Sequence, residues 1–415
     1  MTETNNNTPA IKQDYWSYVK RQFKRNKRAV ISLYIVVFMA FIAIFADVLA
    51  NEKPIVCTYE GKTYFPIFNE YLSSLKLTKP NAELNNISWI DTKFDFAIRP
   101  LIPYSPNTQD ILNFGYVSPF QKQDVPSVRW RHWLGTESIG RDILSALIHG
   151  TRVAFLVGII SMSIASIIGI ILGALAGFFG DNRLRISRAS MLMLAIFLFF
   201  GFFYAFTFKK LFLGLAIILL SICIAYFAGF ILKPIPFFKK KSAIPIDILV
   251  QRLIEILVSI PRLFLIIGIV AIAKPSIFLV MVVIGLTSWT EIARFIRAEL
   301  LKIRNLEYIE AADALGYSKW RVLIKHAIPN AIGPVLITIA FGIAAAILIE
   351  SFLSFLGLGI PPETLTWGKL LSLAGGGKSE LWVAIFPGFA IFLTVTLFNL
   401  IGEGLTDALD PRQKK

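Results

Sequence analysis

The chain has 415 residues, 55% of them hydrophobic, with 35 Phe, a mean hydropathy of +0.65 and a net charge of +15. The length would suit two or three soluble domains, but a composition this apolar excludes an ordinary soluble protein. The positive charge comes in clusters between apolar stretches, which argues against nucleic acid and for a membrane surface.

Residues 1–28 are a polar arm ending in the cluster Lys20, Arg21, Lys24, Arg25, Lys27 and Arg28. A helix that crosses a bilayer needs about 20 apolar residues, and 29–50 is the first such stretch, with only Asp47 near its end. Its apolar run is too long, and its basic patch too far from the start, for a cleaved signal, so an uncleaved anchor is expected. Residues 51–150 follow as one large soluble region, rich in Pro, Asn, Tyr and Trp. Tyr64-Phe65-Pro66 and Ile102-Pro103-Tyr104-Ser105-Pro106 predict extended or turn-like pieces in it. A free loop of this length would be unusual, so it is expected to pack over the bundle.

The next apolar stretches, 153–179, 189–208 and 211–232, carry no charge. Only Lys209-Lys210 separates the last two, which predicts a tight membrane hairpin. Three further stretches are interrupted: 247–273 by Arg252, Glu255 and Arg262, 276–293 by Glu291, and 333–360 by Glu350. The uncharged stretch 381–402 closes the set. The expectation is an all-α, polytopic transmembrane helix bundle of about eight spans. With the N-terminus inside, the basic arm, Arg183, Arg185 and Arg188, Lys239 to Lys241, and Arg412, Lys414 and Lys415 all fall on the cytoplasmic side. Only Lys209, Lys210, Lys274, Lys369 and Lys378 lie in the short loops opposite. Both termini are then cytoplasmic and 51–150 is extracytoplasmic. Cys57 lies outside and Cys223 inside a predicted span, so no internal disulfide is available.

Enzyme chemistry finds little support. His132, His149 and His326 are scattered, no pair has helical metal-ligand spacing, and neither a metal nor a cofactor is expected. Gly375-Gly376-Gly377-Lys378-Ser379 looks like the end of a phosphate-binding loop, but the loop needs a glycine where Ser372 stands, and the tract falls in an outer connector. Ionisable residues near or inside spans are functional candidates: Glu255, Arg262, Glu291, Arg294 and Glu350. Glu291 and Arg294 are three apart and suit an ion pair, and Glu255 lies within reach of the interface. Glu350 is the deepest. A secondary, ion-coupled transporter built on Glu350 and Glu255 is the alternative reading, although the repeats and broken midplane helices typical of that class are not visible.

Between two apolar stretches sits EYIEAADALGYSKWRVLIKHAIPN, residues 307–330. Leu306, Ile309, Ala312 and Leu315 predict one mildly apolar helical stripe, with Asp313 on a face that stays wet. Gly316 is placed to end that helix. Ser318 is placed to cap a second one carrying Trp320, Leu323, Ile324 and Ala327 on one face and Lys319, Arg321 and Lys325 on others. Ala311 and Ala312 leave a small-sided surface for close approach.

Glu310-Ala311-Ala312, Gly316 and Ile328-Pro329 resemble the EAA loop of ATP-binding-cassette (ABC) importer permeases, and HAIPN, from His326 to Asn330, resembles the form typical of the peptide/nickel branch. Leu134-Gly135-Thr136-Glu137, Gly140-Arg141-Asp142 and Gly150-Thr151-Arg152 are similar to the block ahead of that branch's second core span, with Glu137 where Asp is usual. Ser354 to Gly359, Trp367-Gly368 and Asp407-Ala408-Leu409-Asp410-Pro411 look like its C-terminal signatures. The resemblance covers roughly 15–50 and 94–415, and points to a C-type permease subunit.

Two departures stand out. An extra segment of about forty residues near 51–93 resembles the insert of the Yej-type oligopeptide/microcin C permeases, and the hairpin within 189–241 has no counterpart in the usual six-span subunit. The resemblance implies a core over 151–405, a coupling loop at 305–330, a cytoplasmic tail from 406 to 415 and residence in a bacterial inner membrane. It implies a second permease, two ABC ATPase subunits that hydrolyse the ATP, and an extracytoplasmic peptide-binding protein as partners. The chain itself is then not an enzyme. Oligopeptides or dipeptides are the implied cargo, with nickel and microcin-like substrates left open. The coupling residues would be Glu310, Ala311, Ala312, Gly316, Ile328 and Pro329, and the outer motif Gly135, Thr136, Gly140, Arg141 and Asp142.

Overall fold

The computed structural model describes residues 15–409 except 75, 79–83, 85–86, 88, 90–91, 208–210, 233–234, 236–239, 362 and 375–379. The phosphate-loop look-alike, Lys209, Lys210, Lys239, Asp410, Pro411 and the terminal cluster with Arg412, Lys414 and Lys415 therefore lie outside the described residues. The chain divides into two compact units. One comprises Met1–Ile167, Ile260–Glu291 and Gly333–Lys415, the other Ile168–Ser259 and Ile292–Ile332.

Among the described residues six helices are long and apolar enough to cross a membrane, and a seventh span is available if one broken pair counts as one. α1 (Tyr15–Arg25) is amphipathic and leads into α2 (Lys27–Ile44), which Asn26 caps by accepting the Ala29 N–H. A short α3 (Ala46–Leu49) ends the first span. The region after it is not wholly helical. β1 (Val56–Tyr59) pairs with β2 (Lys62–Tyr64) and, on its other edge, with β3 (Phe96–Ile98). Glu60 and Gly61, both with positive φ, form the two-residue hairpin loop, the geometry that matches strand twist. Pro66 then opens α4 (Pro66–Ser74).

The second span begins earlier than its apolar stretch suggests. α5 (Ile143–Ala174) continues through a π-helical turn to Phe179, and its start is fixed by Asp142, whose carboxylate accepts the Ser145 N–H at 2.6 Å. In the second unit, α6 (Arg188–Thr207) and α7 (Leu211–Leu232) follow as the expected hairpin. At its base β4 (Arg185–Ser187) pairs antiparallel with β5 (Lys241–Ala243). Small residues let the two helices close on each other, Gly201 against Ser221 and Gly229 against Ser190.

The stretch 247–273 is not one span. It is α8 (Ile246–Ser259) and α9 (Arg262–Ile272), interrupted where Pro261 removes a backbone donor. α10 (Ile277–Ile303), the loop helices α11 (Glu307–Ala314), α12 (Lys319–Val322) and α13 (Ile328–Ala331), then α14 (Gly333–Phe355), α15 (Trp367–Leu373) and α16 (Leu381–Leu409) complete the chain. The expected eight spans are thus not reached by unbroken helices. Six pass alone, one is broken, and in α7 the apolar portion that can be assessed is Ala216–Leu232.

The two larger apolar clusters of the first unit join its helices. One joins Phe155 of α5, Ala344 and Ile347 of α14, Trp367 of α15 and Phe398 of α16 with Val36 of α2. The other joins Val157 of α5, Ile266 and Val270 of α9, and Val280 and Ile284 of α10 with Leu353 of α14. In a membrane such contacts depend on close packing more than on expelling water. Gly150 accordingly rests against the Trp367 ring and Gly285 against Ile164 and the Ser161 carbonyl.

Candidate functional site

The loop that joins α10 to α14 is built from two short helices set around one glycine. α11 ends in a complete Schellman motif: the Tyr317 N–H donates to the Ala312 carbonyl at 3.2 Å and the Gly316 N–H to that of Asp313 at 3.0 Å. The motif requires a left-handed residue, and Gly316 has φ +81°. A Cβ at Gly316 would meet nothing within 4 Å, so the glycine is needed for its backbone and not for space. Ser318 then caps α12 by accepting the Arg321 N–H, and Lys319 reaches back to Asp313 at 3.0 Å.

Burial in this loop differs from the sequence pattern. Ile309 and Ala312 are buried, but Leu306 and Leu315 are exposed, Leu315 by 74%. Of the expected second stripe, Leu323 and Ala327 are buried together with Val322, while Trp320 and Ile324 are exposed. A π-helical turn follows at Leu323–Ala327, and its wider i to i+5 spacing suits Val322 and Ala327, five apart, to one buried face. Ala311 is exposed and Ala312 buried, so only Ala311 presents a small outward side. Glu310 is exposed in the opening turns of α11 and has no hydrogen bond or ion pair among the described residues. Ile328 and Pro329 open α13, where a missing N–H costs little, and Asn330 donates to the His326 carbonyl at 2.6 Å.

Residues far away in sequence steady this loop. The Phe179 and Trp320 rings lie 4.9 Å apart, and Arg304 donates to the Gly177 carbonyl at 3.2 Å. Arg297 clamps Asp247 with two hydrogen bonds, of 2.5 and 2.7 Å. Gly173 and Gly177 separately let α5 and its π-turn lie close against α10: a Cβ on either would meet the Ala293 or Arg297 backbone at 2.5–2.7 Å. Sequence reasoning missed the Asp247–Arg297 pair, because fifty residues separate the partners and no local spacing marks them.

The motif ahead of α5 folds inward. His132 is fully buried between two carboxylates, Nδ1 2.8 Å from Asp142 and Nε2 3.1 Å from Asp110, with the Tyr104 ring stacked on it at 4.2 Å. Burial alone would favour the neutral imidazole, but the hydrogen bonds and charges of Asp142 and Asp110 outweigh it and raise the His132 pKa. Burial likewise works to raise Asp110, and the donors Asn113, His132 and the Leu112 N–H overcome it, so its pKa is lowered. Thr136 donates to the Asn113 carbonyl, and Arg141 pairs with the buried Glu137 at 2.8 Å. Gly135 and Gly140 have φ near +80°, and the backbone oxygens of Val117 and Asp110 occupy the space a Cβ would need. Among the described residues no three side chains converge as metal ligands.

The intramembrane carboxylates differ from each other. Glu350 is buried in α14, accepting from Ser354 at 2.6 Å and Ser351 at 3.3 Å, with no cation paired to it among the described residues. Glu255 is exposed on α8 and paired with Arg252 at 2.6 Å. Glu291 and Arg294 are both exposed and do not pair, in contrast to the expectation from their spacing.

The sequence matches known membrane transport components. Residues 239–415 match the model for the binding-protein-dependent transport system inner membrane component, and 14–69 that for the N-terminal TM domain of oligopeptide transport permease C. The chain belongs to this family of multi-pass inner-membrane permease components. It is 32% identical over 292 residues to the oligopeptide transport system permease protein OppC of Haemophilus influenzae, covering 70% of this chain and 73% of that protein. Over nearly its whole length it is 25% identical to the inner membrane ABC transporter permease protein YejE of Escherichia coli, covering 97% of this chain and 98% of the relative. It is also 31% identical to the glutathione transport system permease protein GsiD of Pectobacterium atrosepticum, covering 68% and 73%.

Proposed function

We propose that this permease moves oligopeptides or dipeptides across the inner membrane as one subunit of an ATP-driven importer. Separate ATPase subunits supply the energy, a second permease completes the pathway, and an extracytoplasmic binding protein delivers the cargo. The names of the relatives support the substrate class. The clusters at 20–28, 183–188 and 239–241 support cytoplasmic termini and an outside location for 51–142.

One observation carries the coupling role. The loop around Gly316 leaves Glu310, Leu315 and Ile324 turned outward on a turn whose geometry the backbone fixes. In this reading α11 and α12 seat in a groove of the ATPase, and Arg304 and the Phe179–Trp320 contact pass the ATPase's rigid-body movement to the spans. Glu310 supplies a charge for a cation or backbone amides of the partner. Ala311 permits close approach, Ala312 packs the helix onto its own unit, and Ile328 and Pro329 set the entry into the next span. The ion-coupled alternative finds no support in Glu255, which is exposed and already paired.

Gly316→Val tests this. A β-branched residue is strained at φ +81°, by about 1–3 kcal/mol, but meets no neighbour. Membrane insertion and abundance stay near normal while ATPase association or transport-coupled hydrolysis is lost. Abundant Gly316→Val protein that binds its ATPase and transports normally would remove the loop from the mechanism. Uptake into vesicles supplied with ATP should also survive an uncoupler.

A further inference from the structure

Arg152 stands where an apolar groove meets a polar cavity, at the end of the first span. α2 has 18 residues, about 27 Å at the usual rise per residue, so Ile44 lies near the edge of a hydrocarbon core of about 30 Å. Beside it, α2 and the opening turns of α5 leave a groove of about 290 Å³ lined by Ala40, Ala43, Ile44, Phe155, Leu156 and Ile159. Ile44, Leu156 and Ile159 are exposed on helices long and apolar enough to cross a membrane, so the groove suits an acyl chain better than water. The second cavity, about 390 Å³, is lined by Asp47, Glu52, Lys53, Glu70, Tyr71 and His149 among others. Arg152 lines both. Its guanidinium bonds the Asp47 carboxylate at 2.7 Å and the Ala43 carbonyl at 2.8 Å, which ties the polar cavity to the end of α2.

We propose that these two cavities are one binding site for a glycerophospholipid with a zwitterionic, amine-bearing headgroup. An acyl chain lies in the groove between α2 and α5, and the headgroup enters the polar cavity in the leaflet on the side of residues 51–142. The phosphate meets Arg152 and Lys53, whose side chains are about one quarter exposed. The ammonium meets Glu70, which is 58% exposed and already holds the Lys53 ammonium at 2.9 Å. Three carboxylates (Asp47, Glu52 and Glu70) face two cations in this cavity, and His149 is engaged with the Ala50 carbonyl at 2.8 Å. An anionic headgroup without an amine meets that carboxylate excess and is disfavoured.

The wall of the site is the insert helix α4. Ile67, Glu70 and Tyr71 face the cavity, and the Tyr71 hydroxyl donates to Asp47. Phe68 and Leu72 on its opposite face, and Phe65 just before it, are exposed. An aromatic-rich helix face fastened to the end of a span is at home at headgroup depth.

The test uses the assembled transporter in mild detergent with equal amounts of phosphatidylethanolamine and phosphatidylglycerol, read by native mass spectrometry. One phosphatidylethanolamine should be retained per chain, several-fold in preference to phosphatidylglycerol. Leu156→Trp fills the groove from an exposed position and lowers retention about tenfold, roughly 1.4 kcal/mol. Glu70→Gln keeps retention but erases the headgroup preference, and Phe38→Trp, exposed on α2 away from the groove, changes neither. Retention untouched by Leu156→Trp, or equal retention of the two lipids by the native protein, would overturn the site. A photoreactive side chain at position 159 that labels a protein chain in place of lipid would overturn it too, and assign the groove to a partner helix.

Discussion

Around His132 and Asp142 both ring nitrogens and both flanking carboxylates are engaged inside the chain, and the pair is 0–1% exposed. Around Gly316 the Glu310 carboxylate and the Leu315 and Ile324 side chains face outward with no polar or ring partner among the described residues. Both regions rest on positive-φ glycines, so the glycines do not distinguish them. What differs is where the polar groups go. Groups consumed internally fix a shape, because an unpaired buried partner is costly. Groups left over on a rigid turn are available to another molecule.

The sharpest way to break this contrast is at the two glycines. Gly140→Val meets both a left-handed φ and the Asp110 backbone, so about 3 kcal/mol or more is lost and little folded protein should accumulate. Gly316→Val, with open space around it, should leave the yield near normal. Similar yields for the two variants would mean that the inward packing of the outer block does not matter.

Asp142→Asn comes next. It keeps an acceptor for the Ser145 N–H but takes away one of the two charges that favour a proton on His132, at a cost of about 1–3 kcal/mol. Thermal unfolding of the purified full-length protein should show the loss, and an unchanged melting temperature would count against a charged His132.

A smaller effect is expected from pH. His132 is bound best in its charged form, so its contribution is complete below its ordinary pKa of about 6.5 and fades as pH rises through its raised folded value. Asp110 has the opposite sign. Its contribution is complete above about 3.9 and fades only as pH falls through its lowered folded value. The melting temperature should therefore fall from pH 6 toward pH 9, and His132→Gln should lack that limb.

Glu310→Gln should change stability least, by less than about 0.5 kcal/mol, because the side chain is exposed and unpaired. It should nevertheless weaken ATPase association. A stability loss without an association defect would reverse the roles drawn here.

Much of the loop at 305–330 was legible because its signals are local. A glycine after a short amphipathic helix, and a serine two residues on, report a Schellman end and an N-cap from sequence alone. The π-turn at Leu323–Ala327 was not legible: Trp320 and Ile324 keep a valid helical spacing for burial, and only the packing of Val322 selects the other face. In the outer block the glycines and Asp142 stood out as a motif. Asp110 did not, since it lies 22 residues from His132 and nothing near it in sequence predicts the contact.

The sequence by itself determined the membrane character, the positions of most spans and the turn at Gly316, because bilayer thickness and backbone handedness act on contiguous residues. Only the tertiary structure decided that His132 sits between two aspartates, that Arg297 clamps Asp247, and that Arg152 joins a polar cavity to an apolar groove. Each of these depends on which distant backbones approach closely enough to meet. That is set by how small residues such as Gly173, Gly177 and Gly140 allow helices and loops to pack, and a single stretch of sequence does not contain it.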